Sequence, residues 1–261
     1  MLENVLYVIV SFVATIIGSL TGIGGGIVLK SLVDTFSNDS VIVISFYTTV
    51  VVFTMCIVSI YKQWQKGFKF NLKVLTGISG GSLIGGYFGD HILNFIAGNY
   101  DQSKVQLVQS IILFITLVFL IIYTRIGPEK GKVENPTVKS TILLGLFLGS
   151  ISIFLGIGGG PLNVSLLVIL YGYGMRDASI YSLATVFFSQ VAKIISIVYV
   201  GEYGQFDLSL IPVLVLVAIM GGYIGTLLNQ KLSSRKIESL YIILMSGLSL
   251  VTLINIFRYA I

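Results

Sequence analysis

The sequence is short of almost everything that metal, redox or aqueous chemistry draws on. A single cysteine, Cys56, in 261 residues excludes an intrachain disulfide and any multi-cysteine metal site. A single histidine, His91, excludes His-rich metal centres, and no spaced pair of carboxylates suggests an acid–base catalyst. No metal, no cofactor and no enzymatic activity are therefore expected. Charge is scarce as well: Asp, Glu, Lys and Arg make up 10% of the chain, where a soluble domain carries about a quarter. Hydrophobic residues fill the gap, at 55% with a mean hydropathy of +0.97. Apolar runs near or above the ~20 residues that cross a bilayer recur along the chain. The expected class is an all-α polytopic membrane protein. Glu3 precedes the first run with no Lys or Arg beside it, unlike the basic start of a cleaved signal peptide, so that run is read as a retained helix. The formal net charge of +5 is spread over short loops rather than gathered into a basic stripe with aromatics. The partner it implies is the lipid bilayer, not nucleic acid.

Glycine, by contrast, is plentiful, with 29 residues. Gly22-Ile23-Gly24-Gly25-Gly26 interrupts an apolar run, and Lys30 follows four residues later. Each glycine costs roughly 1 kcal/mol relative to alanine inside a helix. In lipid, backbone that leaves a helix must be buried in protein or line a wet cavity. A break at membrane depth is thus a candidate site. The same five letters return at Gly156-Ile157-Gly158-Gly159-Gly160, and Gly85-Gly86-Tyr87 with Gly89 returns as Gly221-Gly222-Tyr223 with Gly225. Both landmarks keep their order and nearly their separation. The chain therefore divides into a first repeat (1–125), a connector (126–138) and a second repeat (139–261). In the first, segments are expected at about Val5–Leu20, Gly26–Phe36, Val41–Tyr61, Leu72–Ala97 and Val105–Tyr123. In the second they are expected at Lys139–Leu155, Pro161–Tyr171, Ser179–Val200, Leu208–Asn229 and Ile237–Phe257. Each repeat is a glycine-broken hairpin plus three transmembrane helices, about eight membrane segments in all.

Loop charge sets the orientation. Lys62, Lys66, Lys69 and Lys73 surround the loop after the second span, whereas its counterpart Gly201–Asp207 carries only Glu202 and Asp207. One loop later the bias reverses, with Lys104 alone in Asp90–Lys104 against Lys231, Arg235 and Lys236. A bias that changes sign between halves predicts inverted repeats, a hallmark of secondary transporters. The expectation is a multi-pass protein of the cell (plasma) membrane with a cytoplasmic connector and both termini outside. The first hairpin then enters from outside and the second from the cytoplasm. The arm after each break is too short to cross ~30 Å of hydrocarbon at 1.5 Å per residue, and loop charge leaves open whether the hairpins are re-entrant or tilted crossings. Asp90 is assigned to the turn after the third span, and Asp34 and Glu238 to positions near the surfaces, so no dedicated acidic proton relay is expected.

A helix that starts at a glycine break presents free N–H groups and the positive end of its dipole, and glycine lets a ligand approach the backbone closely. Gly24, Gly25 and Gly26 with Gly158, Gly159 and Gly160 are therefore candidates to hold an anion near the midplane. The alternative is that they only permit tight helix crossing. Pro161 suits the first turn of the second short helix. Lys30 is either a charged ligand or the partner of Asp34 at i,i+4, unless it snorkels to the surface. Lys193 lies inside the sixth span with Ser182, Thr185 and Ser189 at helical spacing and Gln190 beside it, a polar stripe expected to face the bundle interior. For Lys193 the alternative is again snorkelling. Asn163 either orients a ligand or caps strained backbone. Thr49 and Thr185 are repeat partners, although membrane threonines also bond their own backbone.

Three stretches carry a resemblance to a known family: G-I-G-G-G-I-V-L-K at Gly22–Lys30, F-L-G-I-G-G-G-P-L-N-V at Phe154–Val164, and F-F-S-Q at Phe187–Gln190. They resemble the TauE/SafE family of membrane transporters, whose members include sulfite and organosulfonate exporters, and the resemblance spans nearly the whole chain. It implies a transporter of a small, sulfur-containing anion. Residue patterning alone reaches an inverted-repeat transporter with an anion site. The rival reading is an ion channel or a cation-coupled carrier of another small solute, in which unwound carbonyls bind the ion. Coupling to H⁺ or Na⁺ and assembly as a homo-oligomer are both left open. A scaffold would leave the breaks and the loop charges without a use.

Overall fold

The computed structural model describes residues 2–37, 39–126, 136–155, 160–201 and 206–260. Helices account for nearly all of them, with no strand among the described residues. In chain order they are α1 (Leu2–Thr21), α2 (Gly26–Phe36), α3 (Val41–Gln65), α4 (Leu72–Asn99), α5 (Gln102–Ile126), α6 (Val138–Phe154), α7 (Gly160–Tyr171), α8 (Met175–Val200), α9 (Ile211–Lys231) and α10 (Ser234–Ala260). Among the described residues, α1, α3, α5, α8, α9 and α10 are long and apolar enough to cross a membrane. The chain is thus an all-helical polytopic membrane protein, as its composition requires. Helix α4, at 28 residues, has the length of a span, but its glycines, Lys73 and Asp90 dilute its hydropathy.

Local signals set several helix starts. Side chains of Ser40, Asn71 and Thr137 accept the N–H groups of Val43, Lys73 and Ser140 at the first turns of α3, α4 and α6, satisfying donors that the helix leaves free. Helices α3 and α8 run past the apolar limits expected for them, to Gln65 and back to Met175, because helical hydrogen bonding continues where the side chains turn polar.

Packing interleaves the two halves of the chain. Gly77, Gly81, Gly85 and Gly89 form one stripe on α4, and side chains there would strike Thr141, Ile142, Leu146 and Ser150 of α6. Gly221 and Gly225 of α9 face Thr15, Ile16 and Ser19 of α1 in the same way. Such stripes let membrane helices approach to backbone contact. Pairings come in matched couples: α4 on α6 with α9 on α1, α4 on α8 with α9 on α3, and α7 on α8 with α2 on α3.

Two faces of the bundle can be told apart by their ties. On one, the Tyr7 hydroxyl donates to the Asp39 carboxylate at 2.8 Å and the Asp207 N–H to the Tyr47 hydroxyl at 3.0 Å. The ends of α2 and α10 meet on this same face, where the Tyr259 hydroxyl donates to the Asp34 carbonyl at 2.9 Å. On the other, the Asn71 N–H donates to the Tyr181 hydroxyl at 2.6 Å and the Arg176 guanidinium to the Leu232 carbonyl. The Tyr7–Asp39 bond closes the mouth of the α1–α2 hairpin, whose second arm of 11 residues reaches only about 16 Å.

Candidate functional site

The first glycine break is a shaped loop. Gly22, Gly24 and Gly25 have φ of 78°, 84° and 68°, the left-handed region that a Cβ disfavours. Gly25 caps α2 without help from any side chain. The N–H groups of Gly22 and Gly24 turn back to the Gly18 carbonyl at 2.9 and 3.4 Å. The carbonyls freed by the break face α8: Ser182 Oγ lies 2.6 Å from the Gly22 oxygen, and Ser179 Oγ lies 2.8 Å from the Thr21 oxygen while sharing its one proton with the Met175 carbonyl of its own helix at 2.7 Å. Ser182, expected to face the bundle interior, does so and spends its hydroxyl on the break. Losing both hydroxyls would leave two buried carbonyls without these donors, at about 1–3 kcal/mol each. The double variant Ser179→Ala/Ser182→Ala is therefore expected to melt several degrees lower in detergent, with little loss from Thr185→Ala, whose hydroxyl bonds its own helix.

The start of α7 meets the first break. Gly160, the first residue of α7, abuts the Ile23 carbonyl so closely that a side chain there would collide with it. Gly158 and Gly159 lie outside the described residues. Pro161 falls in the first turn of α7 as expected, and its carbonyl accepts the Tyr241 hydroxyl at 2.7 Å.

Both intramembrane lysines are paired and buried. Lys30 Nζ lies 3.2 Å from the Asp34 carboxylate, each residue 3% exposed. Asp34 lies near the end of α2, at the face where α2 and α10 meet, but it is buried there by protein rather than open to solvent. The i,i+4 geometry of a helix brings the two together, and α10 covers them, with Arg258 and Tyr259 donating to the Asp34 carbonyl. Lys193 Nζ lies 2.9 Å from Asp90 Oδ1, joining α8 to α4. Here the sequence reading missed a residue. Asp90 is not in a turn, because α4 continues to Asn99, and it is only 1% exposed. Its other oxygen accepts from Asn94 Nδ2 at 3.2 Å and from Ser196 Oγ at 2.5 Å. The signal was available: a lysine held deep in a membrane helix needs an opposite charge, and Asp90 precedes the end of its apolar run.

Beside Lys193 lies a tight polar crevice, closed in this structure with no room for a water-sized occupant, lined by Ser45, Thr48 and Thr49 of α3, Ser152 and Ile153 of α6, and Gln190 and Lys193 of α8. Thr48 Oγ1, Ser152 Oγ and Gln190 Oε1 are buried with no hydrogen-bond partner among the described residues. Both amide atoms of Asn163, fully buried on α7, are likewise unpartnered. Unsatisfied buried polar groups are rare in folded proteins, so a cluster of them calls for a ligand or water. Thr49, Thr185 and Ser189 instead turn their hydroxyls to their own helices, at 2.8, 3.0 and 2.8 Å. The structure therefore gathers Thr49, Gln190 and Lys193 into one crevice, keeps Thr185 and Ser189 buried elsewhere on α8, and places Lys30 in a separate pair. On the far side of Lys193 a wider vestibule of about 500 Å³ is lined by Phe46, Asp90, Asn94, Lys193, Ser196 and Phe206, among others. A third space, a groove of about 660 Å³, is lined by Phe88, Ile92, Phe95, Val105 and Val108 of α4 and α5, among others. Its apolar walls suit lipid chains rather than a polar solute. Among the described residues no cluster of His, Cys, Asp and Glu could hold a metal.

A model of the family described as "Sulfite exporter TauE/SafE" matches residues 7–252. The chain belongs to the sulfite exporter TauE/SafE family. The match takes in both glycine breaks, both ion pairs and the crevice. A relative in Methanocaldococcus jannaschii, named as a probable membrane transporter protein, is 26% identical over 246 residues and covers 89% of each chain. No solved structure matches. The family assigns the protein to the membrane transporters, and its all-helical polytopic fold agrees.

Proposed function

We propose that this TauE/SafE protein is a secondary transporter of a small sulfur-containing anion, sulfite or an organosulfonate, which it binds in the crevice beside Lys193. The observation that carries the reading is the group of orphaned hydroxyl and amide atoms of Thr48, Ser152 and Gln190 in one crevice with the buried Lys193 ammonium. Lys193 supplies charge. Gln190 and Asn163 supply orientation, with Thr48 and Ser152 added by the crevice; Thr49, Thr185 and Ser189 join them only as their hydroxyls leave the carbonyls of their own helices. Backbone N–H groups at Gly25, Gly26, Gly158, Gly159 and Gly160 complete the shell as an occupant settles between the half-helices near the midplane, joined by that of Gly24 once it leaves the Gly18 carbonyl. Lys30, held by Asp34 in a separate pair, adds positive charge to the bundle without lining the crevice.

Alternating access follows from inverted repeats, a reading supported by the matched helix couples and by loop charges of opposite sign in the two halves. The lysine-rich face is then cytoplasmic, both termini lie outside, and the membrane is the plasma membrane. Membership of a sulfite exporter family supports the sulfur oxyanion.

Proteoliposome counterflow tests the proposal with labelled sulfite against sulfite, thiosulfate, methanesulfonate, sulfate and acetate. Saturable uptake that is stimulated by internal sulfite or sulfonate, but not by acetate, is the expected result. Flux that never saturates would instead mark a channel, and no anion-dependent flux would end the anion reading.

A further inference from the structure

Lys193 belongs to both the crevice and the vestibule, whereas Asp90 lines only the vestibule. Their contact at 2.9 Å therefore stands where the two spaces adjoin. The two ends of this pair are held differently. The Asp90 carboxylate has three donors, namely Lys193, Asn94 and Ser196, and keeps two of them, and the vestibule, if the ammonium leaves. The ammonium carries three N–H donors and has Asp90 as its one acceptor among the described residues. Thr48 and Gln190, which line the crevice beside it, hold oxygens with no partner. A group with spare donors that borders two spaces can pass from one acceptor to another without becoming unpaired.

We propose that Asp90 is an internal competitor for the substrate anion: its carboxylate occupies Lys193 in the empty protein and closes the crevice, and an arriving oxyanion opens it by exchanging with Asp90 at the ammonium. The inference rests on the anion reading above and adds Asp90 to the residues that set affinity. Asn94 and Ser196 are positioning residues, which hold the carboxylate as the ammonium moves away.

Affinity and access test it separately. In purified protein, sulfite and methanesulfonate binding is measured by calorimetry. Access is measured as the labelling rate of Ile153→Cys, in a Cys56→Ser background, by a charged methanethiosulfonate. Asp90→Asn is expected to bind the anion at least tenfold more tightly, because the competitor is gone, while counterflow slows at least tenfold, because the anion no longer exchanges for a carboxylate. Labelling of its crevice should also quicken at least tenfold. Ser196→Ala, which leaves both charges paired, should move labelling and affinity in the same directions by a smaller factor, and it serves if Asp90→Asn fails to fold. Unchanged or weaker binding in a folded Asp90→Asn protein would overturn the competition, and unchanged labelling would overturn the barrier. If Asp90→Asn quickens labelling but neither protein binds any anion tested, the barrier stands and the anion reading fails.

Discussion

Gly160→Ala is expected to remove the folded protein, not merely to slow it. The smallest possible side chain at this position would occupy the space of the Ile23 carbonyl and its carbon. Overpacking costs about 1–3 kcal/mol where a flexible side chain can yield. Here the obstacle is backbone, in a loop already fixed by left-handed glycines on either side and by hydroxyls from Ser179 and Ser182. The cost therefore falls at or above the top of that range, which is much of the stability of an ordinary domain. Gly80→Ala is the matched control. It sits in a glycine-rich helix of the same membrane protein, yet a side chain there meets nothing within 4 Å, and alanine has the better helix propensity. Size-exclusion profiles and melting temperatures of the two variants in detergent should separate cleanly. A monodisperse Gly160→Ala protein with unchanged melting would show that the start of α7 does not touch the first break in the functional molecule.

The contact between α7 and the first break is also where sequence reading reached its limit. The positions of α2 and α7 were legible, because glycine and proline mark helix starts by local chemistry, and the polar stripe from Ser182 to Lys193 was legible as a buried face from its spacing alone. What could not be read is which partner each buried group chooses. Ser182 and Gln190 sit on one stripe of one helix, yet the first serves the backbone of a distant loop and the second lines a crevice. Asp90 was misplaced for a related reason. A carboxylate near the end of an apolar run reads as a helix end, and only the position of Lys193 on a helix from the other half of the chain makes it an interior residue. Long-range pairing, not local propensity, decides such cases. The interleaving of α4 with α6 and α9 with α1 could be anticipated only as small-residue stripes without named partners.

The second large effect separates the two buried lysines. Lys30→Met is expected to destabilise the protein by about 3–5 kcal/mol, because it leaves the Asp34 carboxylate buried without its counter-charge. Replacing both members, Lys30→Met with Asp34→Leu, should restore most of that stability, since well-packed apolar residues commonly match or exceed a buried ion pair. The restored protein should also transport, because Lys30 is held by Asp34 on α2 and does not line the crevice. Its missing field should be felt only as a modest change in apparent affinity. The parallel double replacement at the other pair, Lys193→Met with Asp90→Leu, should likewise fold, but without anion-dependent flux, because the ammonium that borders the crevice is gone. Thermal melting and counterflow on the three variants therefore distinguish a lysine that holds a helix in place from one that receives the substrate. If the Lys30 double variant folds as stably as the parent and transports nothing, the charge on α2 belongs to the binding site, and the crevice beside Lys193 is only part of it.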